Sequence, residues 1–216
     1  TTALESGAAL VLYDLRARGA SELPAFVERQ RVSLWMSTPT AFRLLFRALP
    51  AGRTLPIRAV RVGGEAVTAS DVALFRAHTS PGARFAHTYS STEAGALTQL
   101  LVGPDDVVSA VLPVGVPFTG RDVVVVDDAL RPVPAGQVGR IAVRSRDIAL
   151  GYWNDAARTA DSFREIAGER WFLSADRGRF VDGVLEHLGR DDREVKHHGV
   201  RVDLGEIEAA LSCHPA

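Results

Sequence analysis

The segment Arg84-Phe85-Ala86-His87-Thr88-Tyr89-Ser90-Ser91-Thr92-Glu93 decides how the chain reads. Arg84–Thr88 has strand character, and the five residues after it turn abruptly polar. A strand that ends in a polar loop is the usual ligand-binding position of an open parallel sheet, where ligands lie outside the carboxyl ends of the strands. An equivalent junction precedes it: a strand over Ile57–Val62 closes on Gly63-Gly64-Glu65. The glycines permit close backbone approach to a flat ligand. Tyr89 can stack on a ring, and Ser90, Ser91 and Thr92 offer hydroxyls to anionic oxygens. Glu93 is a hard oxygen ligand of the kind that divalent cations take. On residue types alone the first reading is two ordinary surface loops with Glu65 and Glu93 solvated, and the ligand-binding reading comes second.

Outward from these junctions the first hundred residues alternate strand and helix. Ala8–Tyr13 is a short apolar run rich in strand formers. Ser21 can cap a helix over Glu22–Gln30, and Val32–Met36 reads as a strand. Thr38-Pro39 opens a helix through Leu49, with Thr38 as N-cap and Pro39 at the first helical position. Phe42, Leu45, Phe46 and Leu49 share its apolar stripe. Thr68-Ala69-Ser70-Asp71 fits a capping box ahead of a helix that carries Val72 and Phe75 on one face. The rhythm predicts an α/β fold whose sheet is mostly parallel and covered by helices.

The pattern changes near Gly103. Val107–Leu112, Val123–Val126 and Ile141–Ser145 read as strands separated by turns rich in Pro, Gly and Asp. A short helix over Ala156–Phe163 and strands over Arg170–Leu173 and Val184–Leu188 follow. They predict an antiparallel β-barrel-like subdomain. Gly189–Arg193 reads as a linker. Val195–His198 and Val200–Val202 read as short strands, and Asp203 as the cap of a further helix. The expected division is residues 1–103 (α/β), 104–188 (β subdomain), 189–192 (hinge) and 193–216 (the start of a small α+β domain). Trp153 and Trp171 are expected to be packing residues.

The 216 residues carry a net charge of −1, so nothing electrostatic favours nucleic acid or an anionic membrane. No apolar stretch approaches the ~20 residues that span a bilayer. Cys213 is the one cysteine and cannot form an internal disulfide, which suits a reducing, cytoplasmic setting. Adjacent residues of a strand point to opposite faces, so His197 and His198 are a poor metal pair. The chain opens directly into an apolar run and stops inside an apparent helix, which suggests a fragment.

The order of segments resembles the adenylation domains of nonribosomal peptide synthetases, in the adenylate-forming superfamily that also holds acyl-CoA synthetases and luciferases. Arg61-Val62-Gly63-Gly64-Glu65-Ala66 resembles its Gly-Gly-Glu segment, and Tyr89–Glu93 its Tyr-Gly-x-Thr-Glu loop. Gly139-Arg140-Ile141 through Ala149-Leu150-Gly151-Tyr152-Trp153 is similar to a third segment, and Ser174-Ala175-Asp176 stands where Thr-Gly-Asp is usual. Gly189-Arg190-Asp191-Asp192, Val195-Lys196, Gly199-Val200-Arg201 and Leu204-Gly205-Glu206-Ile207-Glu208 resemble the hinge and the start of the mobile C-terminal domain.

The resemblance implies ATP, Mg²⁺ and a carboxylic acid, most simply an amino acid, with the phosphopantetheine thiol of a carrier protein as acceptor. It implies that Glu93 binds the Mg²⁺ and that Thr92 contacts the α-phosphate, with Ser91 beside it. Tyr89 packs against adenine, and Gly63, Gly64 and Glu65 form part of the wall between the adenine and acid pockets. Asp176 accepts from both ribose hydroxyls, and Arg190 reaches the ribose or phosphate. Asp192 is the pivot of domain rotation, while Lys196 and Arg201 face the active site in the thioester-forming conformation. The acid pocket draws on residues 35–40, 63–66 and 88–98. An acyl- or aryl-CoA ligase of the same superfamily and a degenerate, non-catalytic interaction module are the alternatives. Ser90, Ala175, Leu173 and Arg140 depart from the family pattern, and Ser90 is expected to change the local turn. The family's phosphate-gripping loop, its aspartate for the substrate amino group and its C-terminal lysine have no counterpart in these residues, so the chain alone is expected to be a poor catalyst.

Overall fold

The computed structural model describes residues 2–191, 194–197 and 200–203, with side chains described over 3–191. Single-turn helices α1 (Thr2–Glu5) and α2 (Leu15–Arg18) precede α3 (Leu23–Arg29). Ala8–Tyr13 forms no strand, contrary to its composition. Leu10 and Leu12 are exposed, and no described strand pairs with the run. Ser21 does not cap α3: Glu22 is the N-cap residue, without a side-chain bond, and Pro24 occupies the first turn, where a missing N–H costs nothing.

Next come β1 (Leu34–Ser37), α4 (Pro39–Arg47), β2 (Ala59–Gly63), α5 (Ala69–His78), β3 (Arg84–Ser91), β4 (Gly95–Val102) and β5 (Val116–Pro117). They form a five-stranded sheet in the order β1-β2-β3-β4-β5. β1, β2 and β3 pair in parallel, and β4 runs antiparallel to both β3 and β5, so four of the five strands share one direction. The helix starts are built as their sequences require. Thr38 Oγ1 accepts from the Ala41 N–H (3.4 Å). The Asp71 carboxylate accepts from the Thr68 N–H (2.9 Å) and pairs with Arg43 (2.7 Å). Phe42, Phe46, Val72 and Phe75 bury one side of the sheet against Val60, Val62, Phe85 and Val102. Each large apolar side chain taken from water contributes about 1.5–3 kcal/mol.

Two sequence expectations change here. Tyr89–Ser91 belongs to β3 and is not loop, because β4 turns back at Gly95 and pairs with it in a ladder that slips one residue between Tyr89 and Ser90. Val107–Leu112 is no strand. Its backbone bonds go to the entry of α5 (Ala69 N to Ala110 O, Leu112 N to Val67 O), and a single bridge joins Val111 to Thr68.

β6 (Asp122–Val126), β7 (Gly139–Arg144), β9 (Glu169–Val181) and β10 (Val184–Arg190) make a curled antiparallel sheet in the order β10-β9-β7-β6. α6 (Ala156–Ser162) leads into β8 (Phe163–Ile166), which pairs with the first half of β9. Arg140 sits at a register shift between β7 and β9 and donates to the carbonyls of Ser174 (2.6 Å) and Leu173 (3.1 Å). Leu173 is buried against Val126 and Ala142. Trp171 packs partly buried with Arg144 over its ring, as expected, but Trp153 is 92% exposed and packs into no core.

The two sheets meet at the end of β3. Tyr89, Ala94 and Leu97 enter the core made by Val123, Val125, Ile141, Phe172 and Leu185 of the second sheet. β11 (Glu194–His197) and β12 (Val200–Asp203) form a hairpin in which Lys196 and Arg201 are Cα partners. Asp192 and the helix expected from Asp203, with Leu204–Glu208, lie outside the described residues, and of Lys196 and Arg201 the backbone alone is described. No helix among the described residues is long and apolar enough to cross a membrane.

Candidate functional site

A cleft of about 840 Å³ lies where the two sheets meet. Residues 64–66 and 87–93 line one side, and Ser174, Asp176, His187 and Arg190 line the other. The fold therefore brings the two carboxylates singled out by sequence, Glu93 in the turn after β3 and Asp176 in β9, to one cavity from segments far apart in the chain.

Asp176 is 5% exposed and densely bonded. Its Oδ2 accepts from the Tyr89 hydroxyl (2.5 Å), and its Oδ1 accepts from His187 Nε2 (3.1 Å) and Arg190 Nη1 (3.2 Å). Its own N–H donates to Ser174 Oγ (3.1 Å). Burial works against its ionisation, but the bonds from His187 and Tyr89 and the charge of Arg190 outweigh it and hold the carboxyl below its ordinary range. The Tyr89 phenol is pushed well above its ordinary range by burial and then by the neighbouring carboxylate, so it stays a proton donor.

Sequence reading missed His187. Its ring lies 5.5 Å from that of Tyr89. Strand periodicity could have found it, because it stands two residues after the fully buried Leu185 and hence on the same inward face of β10.

Glu93 is also buried, at 5% exposure. Its Oε1 accepts from the Tyr152 hydroxyl (2.8 Å), and its carbonyl accepts from the Ala149 N–H (2.7 Å). Tyr152, quoted in a motif but given no role, therefore orients the carboxylate. Burial, followed by the Glu93 bond, raises the Tyr152 phenol, and Arg158 lies 4.4 Å from the centre of its ring. Thr92 lines the cleft beside Glu93. Ser91 lines it too, with its Oγ accepting from the Ala94 N–H (3.1 Å). Ser90 needs no left-handed backbone. The ladder slip absorbs the local bend, and Gly95 takes the positive φ (+69°) that the turn requires.

The glycine junction does three different things. A Cβ on Gly63 would lie 2.3 Å from the Thr88 carbonyl oxygen, so Gly63 permits close contact between β2 and β3 and does not itself line the cleft. Gly64 turns the chain. Glu65 Oε2 accepts from the Thr40 N–H (3.0 Å) and hydroxyl (2.7 Å) at the start of α4, while its buried Oε1 has no partner among the described residues. His87 is buried beside these residues, its Nδ1 3.0 Å from the Pro113 carbonyl, and burial pushes its imidazole down toward neutrality. Residues 35–40 and 94–98 are absent from the cleft lining.

The donor set fits Mg²⁺ in one specific sense. Among the described residues no group of three or more His, Cys, Asp or Glu could hold an ion unaided. Mg²⁺ is commonly held by one or two carboxylates together with substrate phosphates and water, and Glu93 supplies one oriented carboxylate at the cleft.

A buried acid that gathers donors on one side of the cleft faces a carboxylate with hydroxyl neighbours on the other. Residues 1–153 match the AMP-binding enzyme family, and the chain belongs to that family. It is 32% identical to tyrocidine synthase 3 of Brevibacillus parabrevis over 97% of this chain and 3% of that protein. It is 34% identical to the L-proline--[L-prolyl-carrier protein] ligase of Streptomyces coelicolor over 99% of this chain and 41% of that protein. Its fold superposes on the Vibrio cholerae adenylation domain AlmE, solved with glycyl-adenosine-5'-phosphate, with a TM-score of 0.79 and 26% identity over 88% of this chain and 37% of that one. The chain thus spans less than half the length of each of these relatives.

Proposed function

We propose that the chain is part of an enzyme that condenses an amino acid with ATP to an aminoacyl-AMP and passes the acyl group to the phosphopantetheine thiol of a carrier protein. The observation that carries this reading is the single cleft shared by Glu93 with Thr92 and by Asp176 with Arg190. The relatives' names point the same way: one joins proline to a carrier protein, and one domain was solved with a glycyl adenylate.

In this reading the chain's residues position and stabilise. Asp176 takes ribose hydroxyls, Tyr89 packs against adenine, and Arg190 supplies positive charge near the ribose. Attack of a carboxylate on the α-phosphate brings like charges together, so the site must supply positioned donors. Thr92 and Ser91 lie at that end of the cleft. Glu93, oriented by Tyr152, would hold Mg²⁺, which supplies charge neutralisation at the phosphates. Gly64 and Glu65 form wall between the adenine and acid sides, and Gly63 holds that wall against β3. A labile acyl-adenylate calls for a site closed to water. Residues 189–192 act as the hinge with Asp192 as pivot, and Lys196 and Arg201 belong to the surface that closes for thiol transfer.

The test is ATP–pyrophosphate exchange by the full-length parent protein against a panel of amino acids. Exchange stimulated by one or a few amino acids is expected, and no exchange with any amino or aryl acid sinks the reading. Acyl transfer to a phosphopantetheinylated carrier domain and not to free coenzyme A is expected in the second step.

A further inference from the structure

β2 turns Val60 and Val62 into the core under the helices, so Arg61 between them stands on the sheet face that the described helices leave open. Its register partner on β3 is Ala86, yet its Nε donates to the hydroxyl of Thr88 (2.9 Å), two residues further on. β2 and β3 run parallel, so the side chain leans toward the carboxyl ends of the strands, where Thr88 lines the cleft. The next residue of β2 on that face is Gly63, which has no side chain to obstruct it.

A guanidinium carries five N–H donors in a rigid fork. At Arg61 the Nε–H is used by Thr88. Among the described residues, no acceptor meets the terminal amino groups and no carboxylate lies within ion-pair distance. Glu65, the acid nearest in sequence, turns instead to Thr40. The Thr88 hydroxyl accepts from Arg61 and so keeps its own proton to give. The surroundings are otherwise apolar. The guanidinium lies 5.9 Å from the centre of the Phe118 ring, and Met36 and Leu101 share its row. A half-buried cation with spare donors over an apolar floor is matched by an anion on a short apolar stem.

We infer that the amino acid activated by the parent carries a second carboxylate on its side chain, and that Arg61 and Thr88 bind it. The inference rests on the adenylation reading above and names the substrate class for it. Neighbouring residues of a strand point to opposite faces, so Thr88 and Arg61 lie across β3 from Tyr89, which enters the second core and bonds to Asp176. The anion at Arg61 therefore belongs to the acid and not to the nucleotide. A carboxylate takes two N–H bonds of the fork at once, whereas the side-chain amide of equal length accepts through one neutral oxygen.

The experiment measures ATP–pyrophosphate exchange by the full-length parent with aspartate, glutamate, 2-aminoadipate, asparagine, glutamine, leucine and lysine. One of the diacids should give the highest kcat/KM. Where its amide is in the panel, the diacid should exceed it by about tenfold or more, the loss of one charged hydrogen-bonding pair. Arg61→Gln should lower kcat/KM for the diacid by a similar factor and bring the amide level with it, while the KM for ATP stays the same. If Arg61→Gln melts well below the wild type, Arg61→Lys replaces it: the charge stays but the fork is lost, so the diacid should remain preferred at a higher KM. A wild-type protein that prefers a neutral or cationic amino acid overturns the inference and leaves the adenylation reading standing, as does a diacid preference that survives unchanged in Arg61→Gln. No exchange with any acid removes the adenylation reading itself.

Discussion

Three donors converge on the buried carboxylate of Asp176, and its ionisation depends on them. The unfolded chain lacks these partners, so on acidification it takes up the proton first. The stabilisation from Asp176 is complete above the unfolded carboxylate range near ~4 and is lost as pH falls through the lower folded value. Asp176→Asn should therefore destabilise the protein by about 1–3 kcal/mol at pH 7, and the difference from wild type should shrink below pH ~4 in thermal melts. In the full-length parent the same variant should raise the KM for ATP by about tenfold or more, read by pyrophosphate exchange. Across the cleft, Tyr152→Phe frees Glu93 Oε1 from its orienting hydroxyl. The Mg²⁺ concentration for half-maximal exchange should rise several-fold with little change in melting temperature, and an unchanged Mg²⁺ titration would remove Tyr152 from the site. Glu93 and Asp176 were both legible in sequence because they sit in motifs. Tyr152 stood in a motif without a role, and His187 had none, because their partners lie 59 and 11 residues away.

Among the elements, the β2–β3 contact and the entry to α5 carry the clearest local logic. The parallel pairing of Gly63 with Thr88 leaves no room for a side chain at residue 63. Gly63→Ala must push β2 and β3 apart at the end that faces the cleft. It should cost about 1–3 kcal/mol in denaturant melts and weaken nucleotide binding more than Gly82→Ala, whose added Cβ meets nothing. Asp71 serves the α5 N-terminus and Arg43 of α4 together. Asp71→Ala should cost about 2–4 kcal/mol, the loss of a cap plus a half-buried ion pair. The capping box and the Thr38-Pro39 helix start were readable because both signals are local. Ala8–Tyr13 and Val107–Leu112 misled because an apolar, β-branched run becomes a strand only when a partner edge is available, and strand pairing is decided elsewhere in the chain.

For the whole molecule, the first sheet is covered by helices on one face only among the described residues. The register places Met36, Arg61, Ala86 and Leu101 in one row on the other face. Met36 and Leu101 are 54% and 58% exposed there, and Leu34 is exposed beside them. Parallel strands normally have both faces buried. Expressed alone, the 216-residue chain should bind a hydrophobic dye and elute as more than a monomer, and Met36→Ser with Leu101→Ser should reduce both; a monomer that binds no dye would contradict this. The hydrophobic periods, the helix starts and the ordered motifs could all be read from the chain alone, because each depends on neighbours a few residues apart. They carried the α/β rhythm, the antiparallel region after it and the polar character of the segment from Tyr89 to Glu93. What folding alone decided is that Tyr89–Ser91 continues a strand, that Tyr89 crosses into the second core, and that His187 and Arg190 share one carboxylate with it. Those relations join β3, β9 and β10, whose meeting depends on how two sheets pack, and no local pattern in the chain encodes that distance.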